Sequence, residues 1–211
     1  MPGPATGGDD TATWVIDLDG VIWLAEQPIP GSADAVARLR DAGTRVVFAT
    51  NNSAPTVGEL VDRLAGAGIP AGPDDLVTSA QAAASMLEAG TTAFLCAEGG
   101  VVEALATRGV RVVDRPPADA VVVGWSSRFD FDLLSETVTA IREGARFIGT
   151  NEDATHPTPD RLLPGSGALL AAVATGAQAT PEVAGKPHAP MVTLLRRRAP
   201  AAVRLVGDRP A

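Results

Sequence analysis

The sequence predicts an α/β protein built on parallel strands, and three observations predict it. Strand and helix signals alternate through the chain, the pattern of βα units feeding a parallel sheet. The run Trp14-Val15-Ile16-Asp17-Leu18 is apolar on both alternating faces, as a central strand covered by helices on both sides requires. The polar landmarks Asp17/Asp19, Thr50-Asn51, Lys186 and Asp208 each follow a strand or open a helix, where open parallel sheets hold their ligands.

The elements follow in order. After the first strand, Ser32 is expected to cap a helix over 33–42, with Val36 and Leu39 inward and Gly43 as its stop. A strand over 45–49 delivers Thr50-Asn51-Asn52-Ser53 to its C-terminal end, and Thr56 with Glu59 forms a capping box for a helix that Gly66 and Gly68 close. A short strand near Leu76 and Val77 leads to Ser79, a second expected N-cap. A further block then has its own alternation: a helix to Glu88, a strand near Phe94, a helix over 101–108 and a strand over 110–113. It continues with a strand over 120–124, a helix over 132–143, a strand at 147–148 and a small-residue helix over 167–174. A helix from Ala189 to Arg198 and a strand from Val203 to Val206 end the series, the latter expected beside the first strand so that Asp208 reaches an ion held by Asp17.

Composition narrows the function classes. A formal net charge of −8 argues against nucleic acid as the main partner, because phosphate backbones need a basic surface. The basic run Arg196-Arg197-Arg198 reads as the last turn of a helix, complementing its dipole. The one cysteine, Cys96, cannot form an intrachain disulfide and sits among apolar residues, as a buried structural thiol in a reducing cytosol would. Residues 1–13 are rich in Gly, Pro and Asp without an apolar signal core, and no apolar stretch approaches the length of a membrane span. The expectation is a disordered lead-in to a cytoplasmic protein with no membrane partner.

Asp17-Leu18-Asp19-Gly20 carries the chemistry. If the strand continued to Asp19, its period of two would send both carboxylates to one face, and Gly20 would let the backbone turn beside them. Two such anions repel unless a counter-ion neutralises them, and Mg²⁺ is the natural choice. Taken alone, the motif also fits a pair of solvated turn aspartates, Thr50-Asn51-Asn52-Ser53 a polar turn, Lys186 a surface lysine and Asp208 a turn aspartate. Taken together, they supply every part of phosphoryl transfer through a covalent aspartate. One carboxylate attacks phosphorus and a second exchanges protons with the leaving group and water. Hydroxyl, amide and lysine groups hold the phosphoryl oxygens, and Asp208 offers another hard oxygen for Mg²⁺.

The set Asp17-Leu18-Asp19-Gly20, Thr50-Asn51-Asn52-Ser53, Gly185-Lys186-Pro187 and Val206-Gly207-Asp208-Arg209 resembles the haloacid dehalogenase superfamily, in its NagD-like, p-nitrophenyl-phosphatase-type branch. Thr78-Ser79-Ala80, Thr150-Asn151 with Asp153, and Leu163-Pro164-Gly165 extend the likeness over nearly the whole chain. The resemblance implies a Rossmann-like core from residues 14–79 and 180–211, with an inserted α/β cap of the C2 type over 80–179. It implies Asp17 as nucleophile and Mg²⁺ ligand, and Asp19 as general acid/base that also ligates through its backbone carbonyl. Thr50, Asn51, Asn52 and Lys186 would bind the phosphoryl group, and Asp208 would complete the metal ligands. The substrate implied is a small phosphorylated metabolite, with glycerol 3-phosphate the nearest match, and a homodimer through the cap is a further expectation.

The pattern departs from the family in two places. Family members continue from Gly-Asp-Arg into Thr-Asp, a helix and a last strand, whereas this sequence stops at Ala211, so the expectation is a core short of its C-terminal elements, with Val203 to Val206 an exposed edge. Trp125-Ser126-Ser127-Arg128 stands where relatives often carry an aspartate. His156 and His188 read as structural or solvated, Arg128 as a surface residue, and Trp23 as either pocket lining or packing. Two competing functions are a non-catalytic phosphometabolite-binding protein and a phospho-aspartate receiver domain. The size of the insertion and the position of Asp19 weigh against the receiver.

Overall fold

The computed structural model describes residues 12–25, 27–158, 160–199 and 202–208. Of the expected disordered lead-in, residues 1–11 lie outside the described residues, as does Arg209, whereas Thr13 opens the first strand. In chain order the elements are β1 (Thr13–Asp17), β2 (Trp23–Leu24), β3 (Gln27–Pro28), α1 (Ser32–Asp41), β4 (Val46–Thr50), α2 (Val57–Gly66), a 3-10 turn (Pro73–Asp75) and β5 (Leu76–Thr78). There follow α3 (Ser79–Ala84), β6 (Thr92–Cys96), α4 (Gly99–Arg108), β7 (Arg111–Val113), β8 (Ala120–Val123), α5 (Phe131–Arg142) and β9 (Arg146–Gly149). Last come β10 (Thr155–Pro157), β11 (Leu162–Pro164), α6 (Ser166–Ala177), β12 (Glu182–Val183), α7 (Ala189–Arg198) and β13 (Val203–Val206).

Two parallel sheets result, ordered β13-β1-β4-β5 and β12-β9-β8-β6-β7. Both are sandwiched by helices, and the alternation of apolar side chains along the strands explains how. Ile16, Val46, Phe48 and Leu76 face α1 and α2, while Val15, Val47, Ala49 and Val77 face α3 and α7. Ala93, Ala120, Val122 and Ile148 of the second sheet join that same middle cluster, with α4. Phe94, Cys96, Val121 and Val123 point the other way, onto α5 and α6. The middle helix layer therefore belongs to both sheets, and one apolar cluster welds them together. Residues 182–183, expected with the first sheet, instead pair with β9 at the edge of the second.

Several local expectations are corrected. Gly31, not Ser32, occupies the N-cap of α1, and the Ser32 hydroxyl donates to the Ile22 carbonyl at 3.3 Å. Thr78, not Ser79, caps α3, in a reciprocal box with Gln81, so Ser79 is free to reach elsewhere. That helix stops at Ala84 rather than Glu88. The two small hairpins, β2-β3 and β10-β11, have no counterpart among the expected elements. The capping box at Thr56 and Glu59 is present, and β13 lies parallel beside β1. Among the described residues β13 pairs on that side only, and Leu205 on it is 61% exposed.

Cys96 is fully buried, and desolvation, with a smaller contribution from Asp130, pushes its thiol up to about 12. Since the thiolate is the reactive form, the native chain is expected to resist a thiol reagent at about pH 8, with labelling that tracks global unfolding. Prompt stoichiometric labelling of native protein would show that the second sheet opens locally.

Candidate active site

Because all strands of each sheet run parallel, their C-terminal ends gather at one edge, and both edges face a single cavity of about 480 Å³. Asp17 ends β1, the Asn51-Asn52 loop follows β4, and Asp208 follows β13; Lys186 sits in the turn between β12 and α7. Asp17, Asp19, Asn51, Asn52, Lys186 and Asp208 all line the cavity. Thr50 does not: it is fully buried behind them. The second sheet contributes Trp125, Asn151, Asp153 and His156 to the opposite wall.

Asp17 is held from two sides. The Leu18 N–H donates to its Oδ1 at 2.8 Å, and the Lys186 ammonium lies 2.6 Å from its Oδ2 while also donating to the Ala49 carbonyl at 3.1 Å. Burial nonetheless pushes the Asp17 carboxyl above its ordinary value, against the lowering by Lys186 and Leu18, and Asp19 adds to the rise. One lysine therefore does not fully compensate the desolvated charge.

Asp19 reaches the cavity by a turn and not by the strand's alternation, because β1 ends at Asp17. Its carboxylate accepts from the Trp23 indole N–H at 3.0 Å and from the Thr50 hydroxyl at 3.3 Å. Trp23 is thus both packing and positioning: it is buried in the first core, with the Arg63 guanidinium stacked 4.2 Å from its ring. Gly20 follows at a φ of +79°, and a Cβ there would lie 2.5 Å from Asp208 Oδ2. Only glycine combines that backbone with so close an approach of the carboxylate.

These oxygens fit a hard divalent cation. Asp17 and Asp208 offer carboxylates, and no backbone N–H among the described residues takes the Asp19 carbonyl. Among the described residues no cluster of three acidic, His or Cys side chains could hold a metal, so a cation here would rest on two carboxylates and a main-chain oxygen, a donor set that suits Mg²⁺ with its retained waters. Without a cation, the raised Asp17 pKa means that the folded state keeps its proton where the unfolded chain has lost it. The contribution of Asp17 to stability is then expected to fall as pH rises from 3.8 through the raised value. The urea stability of wild type minus that of Asp17→Asn across that window should show the fall, because Glu59 and Glu182, held below their ordinary values, pull the total the other way; millimolar Mg²⁺ should reverse it at the upper end, and a difference that grows in favour of wild type as pH rises would contradict the burial argument.

The phosphate-side loop is held by Ser79, expected only as a helix cap, and Asn151, which enters the sequence reading only as part of the family likeness. Ser79 Oγ and Asn151 Nδ2 both donate to the Asn51 carbonyl, each at 2.6 Å. The Asn51 side chain in turn brackets Lys186, accepting from its N–H at 2.8 Å and donating to its carbonyl at 3.2 Å. Thr150-Asn151 after β9 repeats the Thr50-Asn51 pattern after β4, which was the available signal. His156, expected to be structural or solvated, lines the cavity 6.3 Å from the Trp125 ring, whose indole donates to the Pro164 carbonyl. His188 pairs with Glu152 at 2.7 Å.

Comparison with known proteins places the chain in a family. Residues 14–111 match the model of the haloacid dehalogenase-like hydrolases. An acid sugar phosphatase of Staphylococcus saprophyticus is 33% identical over 178 residues, covering 83% of this chain and 69% of that protein. The chain belongs to the haloacid dehalogenase-like hydrolase family. A D-glycerol 3-phosphate phosphatase of Mycobacterium tuberculosis is 36% identical over 204 residues, 92% of this chain but 56% of the relative. The crystal structure of a glycerol phosphate phosphatase from the same organism, in complex with magnesium, superposes with a TM-score of 0.88 at 35% identity, over 95% of this chain and 62% of that one. NagD from E. coli K-12 follows at 0.84 and 28%, over 94% and 80%. The sequence thus spans little more than half the length of its mycobacterial relative. In this family setting the first sheet is a Rossmann-like core and the second sheet belongs to the cap.

Proposed function

We propose that the chain carries the catalytic centre of a Mg²⁺-dependent phosphomonoester hydrolase for a small phosphorylated metabolite, with glycerol 3-phosphate the first candidate. The observation that carries this reading is the Lys186 ammonium 2.6 Å from Asp17 Oδ2 at the floor of the cavity, a nucleophile and a phosphoryl-binding cation side by side. The mycobacterial relative's name supports the substrate. Residues 14–79 with 184–211 form the core and the intervening residues the cap. Assembly of two copies through the cap belongs to the same proposal, and Phe131 and Leu162 are its most exposed large apolar side chains.

An Asp17 oxygen attacks phosphorus in line with the leaving alcohol, forming an aspartyl phosphate as the P–O bond to the alcohol breaks. Asp19 gives its proton to that alcohol oxygen and later takes one from the water that attacks phosphorus, freeing Asp17. The bonds from Trp23 and Thr50 hold the Asp19 carboxyl to that task. Lys186, Asn51 and Asn52 hold the phosphoryl oxygens. Asp17, the Asp19 carbonyl and Asp208 would hold Mg²⁺, which would supply charge neutralisation between carboxylate and phosphate.

The test is turnover of p-nitrophenyl phosphate, then glycerol 3-phosphate, by this chain with millimolar Mg²⁺ and with EDTA. Activity that EDTA abolishes and Mg²⁺ restores is expected. Phosphate release unchanged by chelation would sink the metal-dependent reading, and no release at all would favour a non-catalytic binding protein.

A further inference from the structure

We propose that Asn151, from the second sheet, is a positioning residue for Lys186, acting through Asn51; the role rests on the phosphatase reading above. Asn151 is 2% exposed, and among the described residues its amide nitrogen reaches three oxygens: the Asn51 carbonyl at 2.6 Å, Ser166 Oγ at 3.2 Å and Thr150 Oγ1 at 3.3 Å. Its own Oδ1 accepts from the Asp153 N–H at 3.0 Å. Asn151 is therefore fixed on every polar atom of its side chain, and its shortest bond is spent on the backbone of the loop opposite.

That bond matters because the Asn51 peptide is the joint of the catalytic floor. Ser79 grips its carbonyl from the first sheet's helix and Asn151 from the second sheet. With the peptide plane fixed from two sides, the Asn51 amide can hold both the N–H and the carbonyl of Lys186. Lys186 then projects its ammonium onto Asp17 and Ala49. Gly185 marks how tight the joint is: a Cβ there would lie 2.6 Å from both Asn51 Oδ1 and the Thr150 carbonyl. The chain of contacts runs from the cap sheet to the nucleophile without a gap. A displacement of roughly 1 Å in a reacting group costs about 10²-fold in rate, so a lost clamp at Asn51 reads out at Lys186 and in kcat.

Asn151→Leu keeps roughly the size of the side chain and removes its amide without adding a charge, whereas a carboxylate at this position would itself repel the phosphoryl group. Asn151→Leu is expected to speed hydrogen exchange at the Lys186 amide by about tenfold or more and to lower kcat for p-nitrophenyl phosphate by about 10- to 100-fold. The Ile148 amide in the neighbouring strand should keep its protection. Val173→Ala, an apolar core residue beneath the second sheet whose side chain makes none of these hydrogen bonds, provides a destabilised control in which Lys186 stays protected and kcat stays high. Should Asn151→Leu fail to fold, Ser79→Ala removes the other grip on the same carbonyl and is read identically. Lys186 exchange equal to wild type in the variant, or equally accelerated in the Val173 control, overturns the proposal. Exchange needs no turnover: a wild-type chain without phosphatase activity would refute the functional reading, and the Lys186 amide would still decide the positioning role.

Discussion

Asp17→Asn is expected to remove turnover by on the order of 10⁴- to 10⁶-fold, the loss typical of deleting a covalent nucleophile, while leaving the fold intact. The amide cannot attack phosphorus. It can still accept the Leu18 N–H at the position Oδ1 occupies. The ion pair with Lys186 is lost, which destabilises; but burial already outweighs that pair in setting the Asp17 pKa, so removing the buried charge offsets the loss. A Tm within about 4 °C of wild type follows, corresponding to about 1 kcal/mol for a chain of this size. Circular dichroism melting and a steady-state assay check both halves. Residual phosphatase activity above a thousandth of wild type would show that Asp17 does not form the covalent bond.

Asp19→Asn separates the second carboxylate from the first. An asparagine can keep both contacts of the turn, its oxygen accepting from the Trp23 indole and its amide donating to the Thr50 hydroxyl. What it cannot do is protonate a leaving group. Glycerol 3-phosphate, whose alkoxide leaves badly, should then lose roughly 10²- to 10⁴-fold in kcat, the usual worth of general acid catalysis. p-Nitrophenyl phosphate, with a leaving group that departs as an anion, should lose far less. Parallel kcat measurements on the two substrates decide it, and equal losses would assign Asp19 to the cation and not to the proton.

The strand-end residues were legible because chemistry and position coincide there. Asp17, Lys186 and Asp208 each follow an apolar run or open a helix, and parallel topology alone brings such positions to one edge. Capping was legible only where the box is complete: Thr56 with Glu59 was found, whereas Ser32 and Ser79 drew the cap assignment although Gly31 and Thr78 hold it. A serine near a helix start has more than one acceptor within reach, and tertiary neighbours choose between them. The Ile22 carbonyl took Ser32, and the Asn51 carbonyl took Ser79.

By itself the sequence determined the α/β class, the parallel order of strand and helix, and the residues proposed here for phosphoryl transfer. These follow from local periodicity and side-chain chemistry, which need no knowledge of the partner surface. Only the tertiary structure decided that Thr50 serves Asp19 from behind the cavity, that Trp23 holds the same carboxylate, that His156 faces the ligand space, and that residues 182–183 join the second sheet. It alone decided that Asn151 reaches 100 positions back along the chain to Asn51. Such pairings are set by how two sheets pack on one shared helix layer, and a contact between distant segments leaves no periodic trace in either of them.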